Sequence, residues 1–577
     1  MPTRNNTKVS LRGVRHDSWR TTKQSLTGLL RSLRSLAMTG NIIYYLFFFA
    51  AVALLYGRTV FFDLTFLDDN IWVEEYHFYL SQAAQWWSFF IKPDFVTEFY
   101  YRPLLNLSFY FDAHLSGLSP LGFHLTNLIL HWVSVCLVFA ILTEWGFHRR
   151  WSLLGSLILL VHPALVQAVV WIPGRTDALS AVFCFAAFFS FLKFHRTDHW
   201  KYLAGYYFFL ICALLTKETA VVLPLMVFTW DWMNAKSKRD VIKRTAVAVV
   251  IVGLWFFIRW LILKDSTPVP METAVSTFVK NLPALWIYLG KAFLPVNLSV
   301  FPILKDSRLI FGFMSFIVLL GWFIEVRQKI TPKVFWALAW FILFLLPSLV
   351  LSDIEYEYRL YVPLLGMLIM GLELLPAKET MSKVSLAVGL VVIGLGTWAT
   401  WTYAENFRDQ WSFWPRAVQD APHSPLAQRN LAAMYQLKGD NETAEAHYLR
   451  ALEINPEEKM AHNNLGLIYQ NRGDLAKAQA YYLKEIQLYP SYGLPYYNLA
   501  LIQLRENNLS AGEILLKKAI QLNPLFVDAY HHLISIHLYT GQTDLVREEA
   551  RRLKSLGGEI PPLILDQARR LNVNLLD

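Results

Sequence analysis

The sequence predicts an all-α chain: a polytopic membrane helical bundle of about eleven spans, followed by a soluble helical-repeat solenoid. Three observations carry this prediction. Of the 577 residues, 55% are hydrophobic and only 17% are charged, too apolar and too long for one soluble domain. Apolar runs near twenty residues, the length a helix needs to cross a bilayer, recur as far as position 403. Beyond them a period of 34 residues takes over.

The first element is a basic tail. The formal net charge is +9, but from Glu405 onward 18 Lys and Arg face 20 Asp and Glu, so the first 404 residues hold +11. Residues 1–40 supply +7 of this. A basic tail before a long apolar run reads as cytoplasmic by the positive-inside rule. It does not read as a cleavable signal peptide, because the apolar run is too long and no small-residue cleavage site follows. Its place beside a span disfavours nucleic-acid binding.

The membrane domain occupies 41–404, with an external loop over 58–120. Spans are predicted at 41–57, 121–142, 152–171, 177–194, 201–215, 219–233, 245–263, 309–324, 334–351, 360–376 and 383–403. The run over 281–300 holds Lys291 and Pro295 and reads as an interfacial or re-entrant helix. With the N-terminus inside, the short basic connections (His148 to Arg150, Lys193 to Lys201, Lys236 to Arg244, Arg327 to Lys333, Lys378 to Lys383) all fall in the cytoplasm. The opposite connections are mixed in sign and richer in acids. Every candidate polar site, and the soluble part, then lands on the non-cytoplasmic face.

A linker over 405–423 leads to the repeats at 424–577. Asn455-Pro456, Tyr489-Pro490 and Asn523-Pro524 recur every 34 residues, as do Asn430-Leu431, Asn464-Leu465, Asn498-Leu499 and His532-Leu533. Gly439-Asp440, Gly473-Asp474, Asn507-Asn508 and Gly541-Gln542 mark turns, and Ala444, Ala478 and Gly512 permit close helix packing. This is the tetratricopeptide signature, about four repeats with a capping helix near 560–571. Such an array binds a peptide or protein segment, or else serves as a structural cap.

The candidate chemistry begins with Asp68 and Asp69, adjacent carboxylates beside the first span. Acids at a membrane surface are costly to keep. One of them suits a general base, which must reach an acceptor hydroxyl and ionise near neutral pH. The alternative is a solvated pair or a helix N-cap for the segment after Asn70. Trp72, Tyr76, Tyr79, Trp86 and Trp87 among charged residues read as interfacial helices. Arg102, Arg175, Lys217 and Arg359 each lie near a span end on the predicted external face, where a lipid phosphate needs cations. Headgroup anchoring, or local ion pairing with Asp177 or Glu218, is the competing account. His114, His124, His131 and His162 are assigned to packing rather than metal, since His124 and His131 stand two helical turns apart. Cys136, Cys184 and Cys212 sit in apolar runs as packing residues.

Phe66-Leu67-Asp68-Asp69, Tyr101-Arg102-Pro103-Leu104, His162-Pro163, Gly174-Arg175-Thr176-Asp177, Thr216-Lys217-Glu218 and Glu357-Tyr358-Arg359-Leu360-Tyr361-Val362-Pro363 occur in this order over about 60–370. The ordered set resembles the GT-C glycosyltransferases, in particular the protein O-mannosyltransferase family that joins a multispan domain to tetratricopeptide repeats. The resemblance implies a polyprenyl- or dolichyl-phosphate sugar as donor, and inverting transfer of a hexose such as mannose to an acceptor hydroxyl outside the cytoplasm. It implies a carboxylate base at Asp69 or Asp68, with Asp69 preferred. It further implies phosphate-binding roles for Arg102, Arg175, Lys217, Arg359 and Tyr361, supported by Tyr101, Asp177, Glu218 and Glu357. It favours a metal-independent reaction without cofactor, a divalent cation being the alternative. The short array points to a bacterial relative, in the inner membrane, with the repeats in the periplasm holding an acceptor protein or glycan. The rival reading is a non-catalytic membrane anchor that presents the repeats to other proteins.

Overall fold

In a computed structural model of the chain, the described residues are 42–75, 83–94, 99–264, 270–327, 330–350, 357–375 and 382–575. The basic tail, Tyr76, Tyr79 and the acids just before Glu357 lie outside them. The described residues are helical throughout, without strands, and divide into two compact units. The first comprises 1–300 and 307–409, the second 301–306 and 410–577.

The membrane unit begins with α1 (Ile42–Tyr56), α2 (Pro103–Ser116), α3 (Pro120–Trp145), α4 (Arg149–Leu160) and α5 (Val166–Val170). Then come α6 (Arg175–Thr197), α7 (Trp200–Leu214), α8 (Leu223–Asn234), α9 (Lys238–Leu263), α10 (Met271–Asn281) and α11 (Ala284–Phe293). It closes with α12 (Ile310–Glu325), α13 (Pro332–Leu345), α14 (Pro363–Glu373) and α15 (Lys383–Ala404). Six of its helical segments are long and apolar enough to cross a bilayer, and seven if the pair broken at His162-Pro163 counts as one. The chain is an integral membrane protein.

All eleven predicted spans are helical, but five fall short of a full crossing by length, for identifiable reasons. Pro163 interrupts one, leaving a 52° bend. There the His162 ring caps the turn by accepting from the Ala164 N–H at 3.3 Å. The predicted span at 219–233 starts as a 3-10 turn over Glu218–Val222 before α8 forms. Another predicted span, 360–376, follows a 3-10 turn over Glu357–Leu360. The last two breaks carry Lys217, Glu218, Glu357 and Arg359. Helices of 15 residues such as α7 rise only ~22 Å at 1.5 Å per residue, against ~30 Å of hydrocarbon. At 10 residues α11 is shorter still, as its interfacial reading requires. It crosses α12 at two glycines: a Cβ on Gly290 would stand 2.8 Å from the Gly312 nitrogen, and one on Gly312 would stand 2.0 Å from the Trp286 carbonyl.

Packing at the end of the bundle away from Asp69 is aromatic. Trp145 lies 4.1 Å from Trp230 and 5.2 Å from Trp336, ring centre to ring centre. The Trp145 indole N–H donates to Glu373 at 2.8 Å, so the buried ring is also satisfied.

In the repeat unit, α16 (Gln410–Asp420) precedes four antiparallel pairs: α17 (Pro425–Leu437) with α18 (Asn441–Ile454), α19 (Ala461–Asn471) with α20 (Leu475–Leu488), α21 (Gly493–Arg505) with α22 (Leu509–Leu522), and α23 (Val527–Tyr539) with α24 (Thr543–Ser555). The last helix is α25 (Pro562–Arg570). The turns form as their residues dictate. Gly439, Gly473, Asn507 and Gly541 take positive φ of 86°, 85°, 62° and 74°. The next residue caps the second helix in three of the four: Asp440, Asp474 and Asn508 accept from backbone N–H groups three positions on. Ala444 and Ala478 are fully buried, and a Cβ on Gly512 would meet Leu504 at 2.4 Å. One addition comes from far upstream. Phe301–Asp306 belong to this unit: Phe301 packs on Trp414, and Asp306 accepts from the His423 N–H at 2.9 Å.

Candidate functional site

The chain leaves α1 through a 3-10 turn and forms a loop over 62–70. Phe66 and Asp68 both sit at positive φ, 58° and 65°, an unfavourable conformation for residues with a Cβ. The Asp69 carboxylate holds the loop in that shape. It accepts from the Thr65 N–H at 2.6 Å and the Thr65 hydroxyl at 2.8 Å, and from the Leu67 and Asn70 N–H groups at 3.1 Å each. Asp69 is 1% exposed. Burial pushes its acid up to about 7, against the pull of the Thr65, Asn70 and Leu67 donors. From outside, the Trp171 indole donates to the Leu67 carbonyl at 3.0 Å and ties the loop to the turn before α6.

Asp68 differs. It is open to solvent, yet the surrounding protein raises its acid above the ordinary carboxylate range by desolvation. Tyr358 forms a wall within electrostatic reach of Arg359, Asp177, Arg102 and Asp68. Trp171 stacks near Tyr358, with centroids 6.1 Å apart.

Cations gather on the same wall. Lys217 lies 5.5 Å from the Tyr358 ring centre and pairs with Asp177 at 2.5 Å. Burial lowers the Lys217 ammonium, Asp177 opposes this, and the like charges of Arg102 and Arg359 lower it further. Arg102 grips Glu218 through both Nε and a terminal nitrogen, the shortest contact being 2.8 Å, and lies over the Tyr100 ring. Burial pushes Glu218 up, but Arg102 and Arg259 outweigh it and hold the acid below its usual value. Arg359 donates towards the Tyr288 hydroxyl at 3.4 Å and the Ser348 carbonyl at 3.5 Å. Asp177 and Glu218 offset part of this positive charge. Next to Arg102, an apolar recess of about 420 Å³ runs between α7 and α9, lined among others by Tyr101, Leu215, Leu254 and Trp255.

Not every predicted residue reaches this wall. Arg175 is 0% exposed. It pairs with Asp112 at 2.5 Å and donates to Asn127 at 2.8 Å and the Phe123 carbonyl at 2.7 Å. Its donors are taken up inside the bundle. Tyr361 is also buried, hydrogen-bonded to His131 at 2.5 Å, which in turn bonds the Leu160 carbonyl. Glu357 accepts from Lys291 at 2.7 Å, the Ser299 N–H at 2.7 Å and the Tyr403 hydroxyl at 2.9 Å, linking α11 and α15 beside the site. The Tyr101 hydroxyl donates to the Phe90 carbonyl and fixes the approach to Arg102. His162 bonds the Ala292 carbonyl, as its packing assignment requires. Among the described residues, no group of three His, Cys, Asp or Glu side chains is placed to hold a metal.

Sequence reasoning missed Arg259, which shares Glu218 with Arg102 at 3.3 Å. A lone arginine near the end of an apolar 26-residue helix was the available signal. It also gave no part to Tyr358, Trp171 or Tyr288, aromatics indistinguishable in sequence from packing residues.

Comparison with known proteins bears on the two units. Residues 105–263 match the family model of dolichyl-phosphate-mannose-protein mannosyltransferases. Residues 423–491 and 495–524 match tetratricopeptide-repeat models. The chain is 27% identical over 350 residues to the human protein O-mannosyl-transferase TMTC3, covering 51% of this chain and 38% of that one. It is 32% identical over 140 residues to Tmtc1 of Drosophila melanogaster, covering 24% and 16%. It is 29% identical over 154 residues to human TMTC1, covering 24% and 17%. The matched stretches thus span less than half the length of these relatives.

Proposed function

From a membrane domain that matches the dolichyl-phosphate-mannose-protein mannosyltransferases, joined to tetratricopeptide repeats, we propose a membrane O-mannosyltransferase that takes mannose from a polyprenyl or dolichyl phosphate. The acceptor is a protein hydroxyl. One observation carries the proposal: Tyr358 stands within electrostatic reach of an open carboxylate, Asp68, and of the cations Arg102 and Arg359, with Lys217 beside its ring.

The residues divide the chemistry as follows. Asp68 accepts the proton of the acceptor hydroxyl as its oxygen attacks the anomeric carbon. The bond from that carbon to the phosphate oxygen breaks on the opposite face, so the configuration inverts. The polyprenyl phosphate leaves with its charge increased, and Arg102, Lys217 and Arg359 stabilise that charge without needing a resident metal. Asp69 fixes the loop that presents Asp68, which reverses the roles the sequence suggested for the pair. The apolar recess beside Arg102 suits the lipid tail. The site faces away from the cytoplasm, by the positive-inside reading of the connections, and the repeats hold the acceptor protein.

The test is transfer of labelled mannose from dolichyl-phosphate mannose and from a bacterial-length polyprenyl-phosphate mannose, in membranes containing the full chain. Asp68→Asn abolishes transfer while the protein stays folded. Wild-type rates in Asp68→Asn, or no transfer from either donor by the wild type, overturn the reading. A reporter fused after the last residue and found active in the cytoplasm overturns the assigned orientation.

A further inference from the structure

At the far end of the membrane unit from Asp68, α4 and α15 start side by side. Their alignment is fixed by a close approach, since a Cβ on Gly389 would stand 2.6 Å from Leu154. At the other end of α15, the Tyr403 hydroxyl reaches Glu357, so Lys383 marks the opposite surface. Between the two helices lies a groove of about 460 Å³ whose walls include Leu154 and Leu157 on one side and Leu386 and Leu390 on the other. Arg150 and Lys383, both exposed, line its end, together with the N-termini of the two helices.

The dimensions and the charge select an occupant. From Lys383 to Ile393 the groove follows ten residues of α15, a rise of ~15 Å. That is the depth of one leaflet in a hydrocarbon core of ~30 Å. An apolar trough one leaflet deep, closed at the surface by two cations, complements a molecule with an anionic head and an acyl tail. We propose that this groove is a binding site for an anionic phospholipid of the leaflet that meets the basic connections. Its phosphate lies against Arg150 and Lys383, and one acyl chain lies along Leu154, Leu157, Leu386 and Leu390. The site is separate from the proposed reaction centre and does not depend on that reading. Most of α15 is otherwise uncovered, with only 11% of its span window buried, so the groove gives a lipid a definite seat on a helix that needs one.

The experiment is native mass spectrometry of the full chain in detergent, titrated with phosphatidylglycerol, phosphatidylcholine or inorganic phosphate. Expected is a phosphatidylglycerol adduct at concentrations about tenfold below those needed for phosphatidylcholine, with no displacement by inorganic phosphate. Arg150→Gln and Lys383→Gln each weaken the adduct about fivefold, as a surface cation should. Leu157→Trp, which fills the trough and leaves both charges, also weakens it. Equal retention of both lipids, or an unchanged preference in the Arg150→Gln/Lys383→Gln double variant, overturns the proposal. So does displacement by inorganic phosphate alone, or a spectrum in which α15 is covered by a second copy of the chain.

Discussion

The loop before α2 and the turns of the repeat unit use the same tool for opposite ends. In the repeats, Asp440, Asp474 and Asn508 accept backbone N–H bonds from three residues away, and the pattern returns every 34 positions. In the loop, Asp69 likewise accepts backbone N–H bonds from its neighbours, but the shape it stabilises is strained and non-repeating, with Phe66 and Asp68 at positive φ. These repeat side chains start a helix and their work is finished. The loop carboxylate holds a second carboxylate in place for something else. The same chemistry is structural where it is periodic and serves a site where it is singular and strained.

The comparison can be broken or sharpened by substitution. The largest effect is expected for Asp68→Asn: a rate loss of about 10²–10⁴-fold, the range of a general base, with the melting temperature unchanged in detergent. The pH profile of the wild type belongs to the same test. Because the Asp68 acid is raised by desolvation, its base form is gained only above the ordinary carboxylate range. Transfer therefore rises with pH past that range, and an acid limb at the usual aspartate value argues against Asp68 as the base. Next in size, Arg175→Met leaves Asp112 buried and unpaired and costs about 3–5 kcal/mol of stability. A thermal unfolding midpoint near wild type contradicts its structural assignment. Asp69→Asn replaces an acceptor by a group that is half donor and orphans a buried N–H, costing about 1–3 kcal/mol. It lowers activity through the loop, so activity and thermal stability fall together, unlike the Asp68 variant. Smallest is Asp474→Ala in the repeats, a lost cap of about 1 kcal/mol, read as a small drop in unfolding midpoint with transfer intact.

The same contrast explains what could be read in advance. The repeat turns announce themselves because their positive-φ glycines and caps depend only on near neighbours. Apolar length likewise located helices at each predicted span, six of them long enough to cross a bilayer. The roles of the charged residues were harder, since partners such as Arg102 and Glu218 lie 116 positions apart. Nothing local separates Arg175, whose donors end inside the bundle, from Lys217, which stands on the cation wall. Nor does sequence spacing say which of two adjacent aspartates is turned inward. That depended on which one Thr65 and Leu67 could reach. Arg259 was overlooked because its partner Glu218 is on another helix-start 41 positions away.

One further feature bears on how this chain is divided for study. Residues 301–306 precede four helices of the membrane unit and yet belong to the repeat unit, where Phe301 and Asp306 attend to Trp414 and His423. A soluble fragment begun after α15 therefore lacks part of its own first layer. Grafting the repeats onto another anchor therefore requires transplanting two pieces of chain.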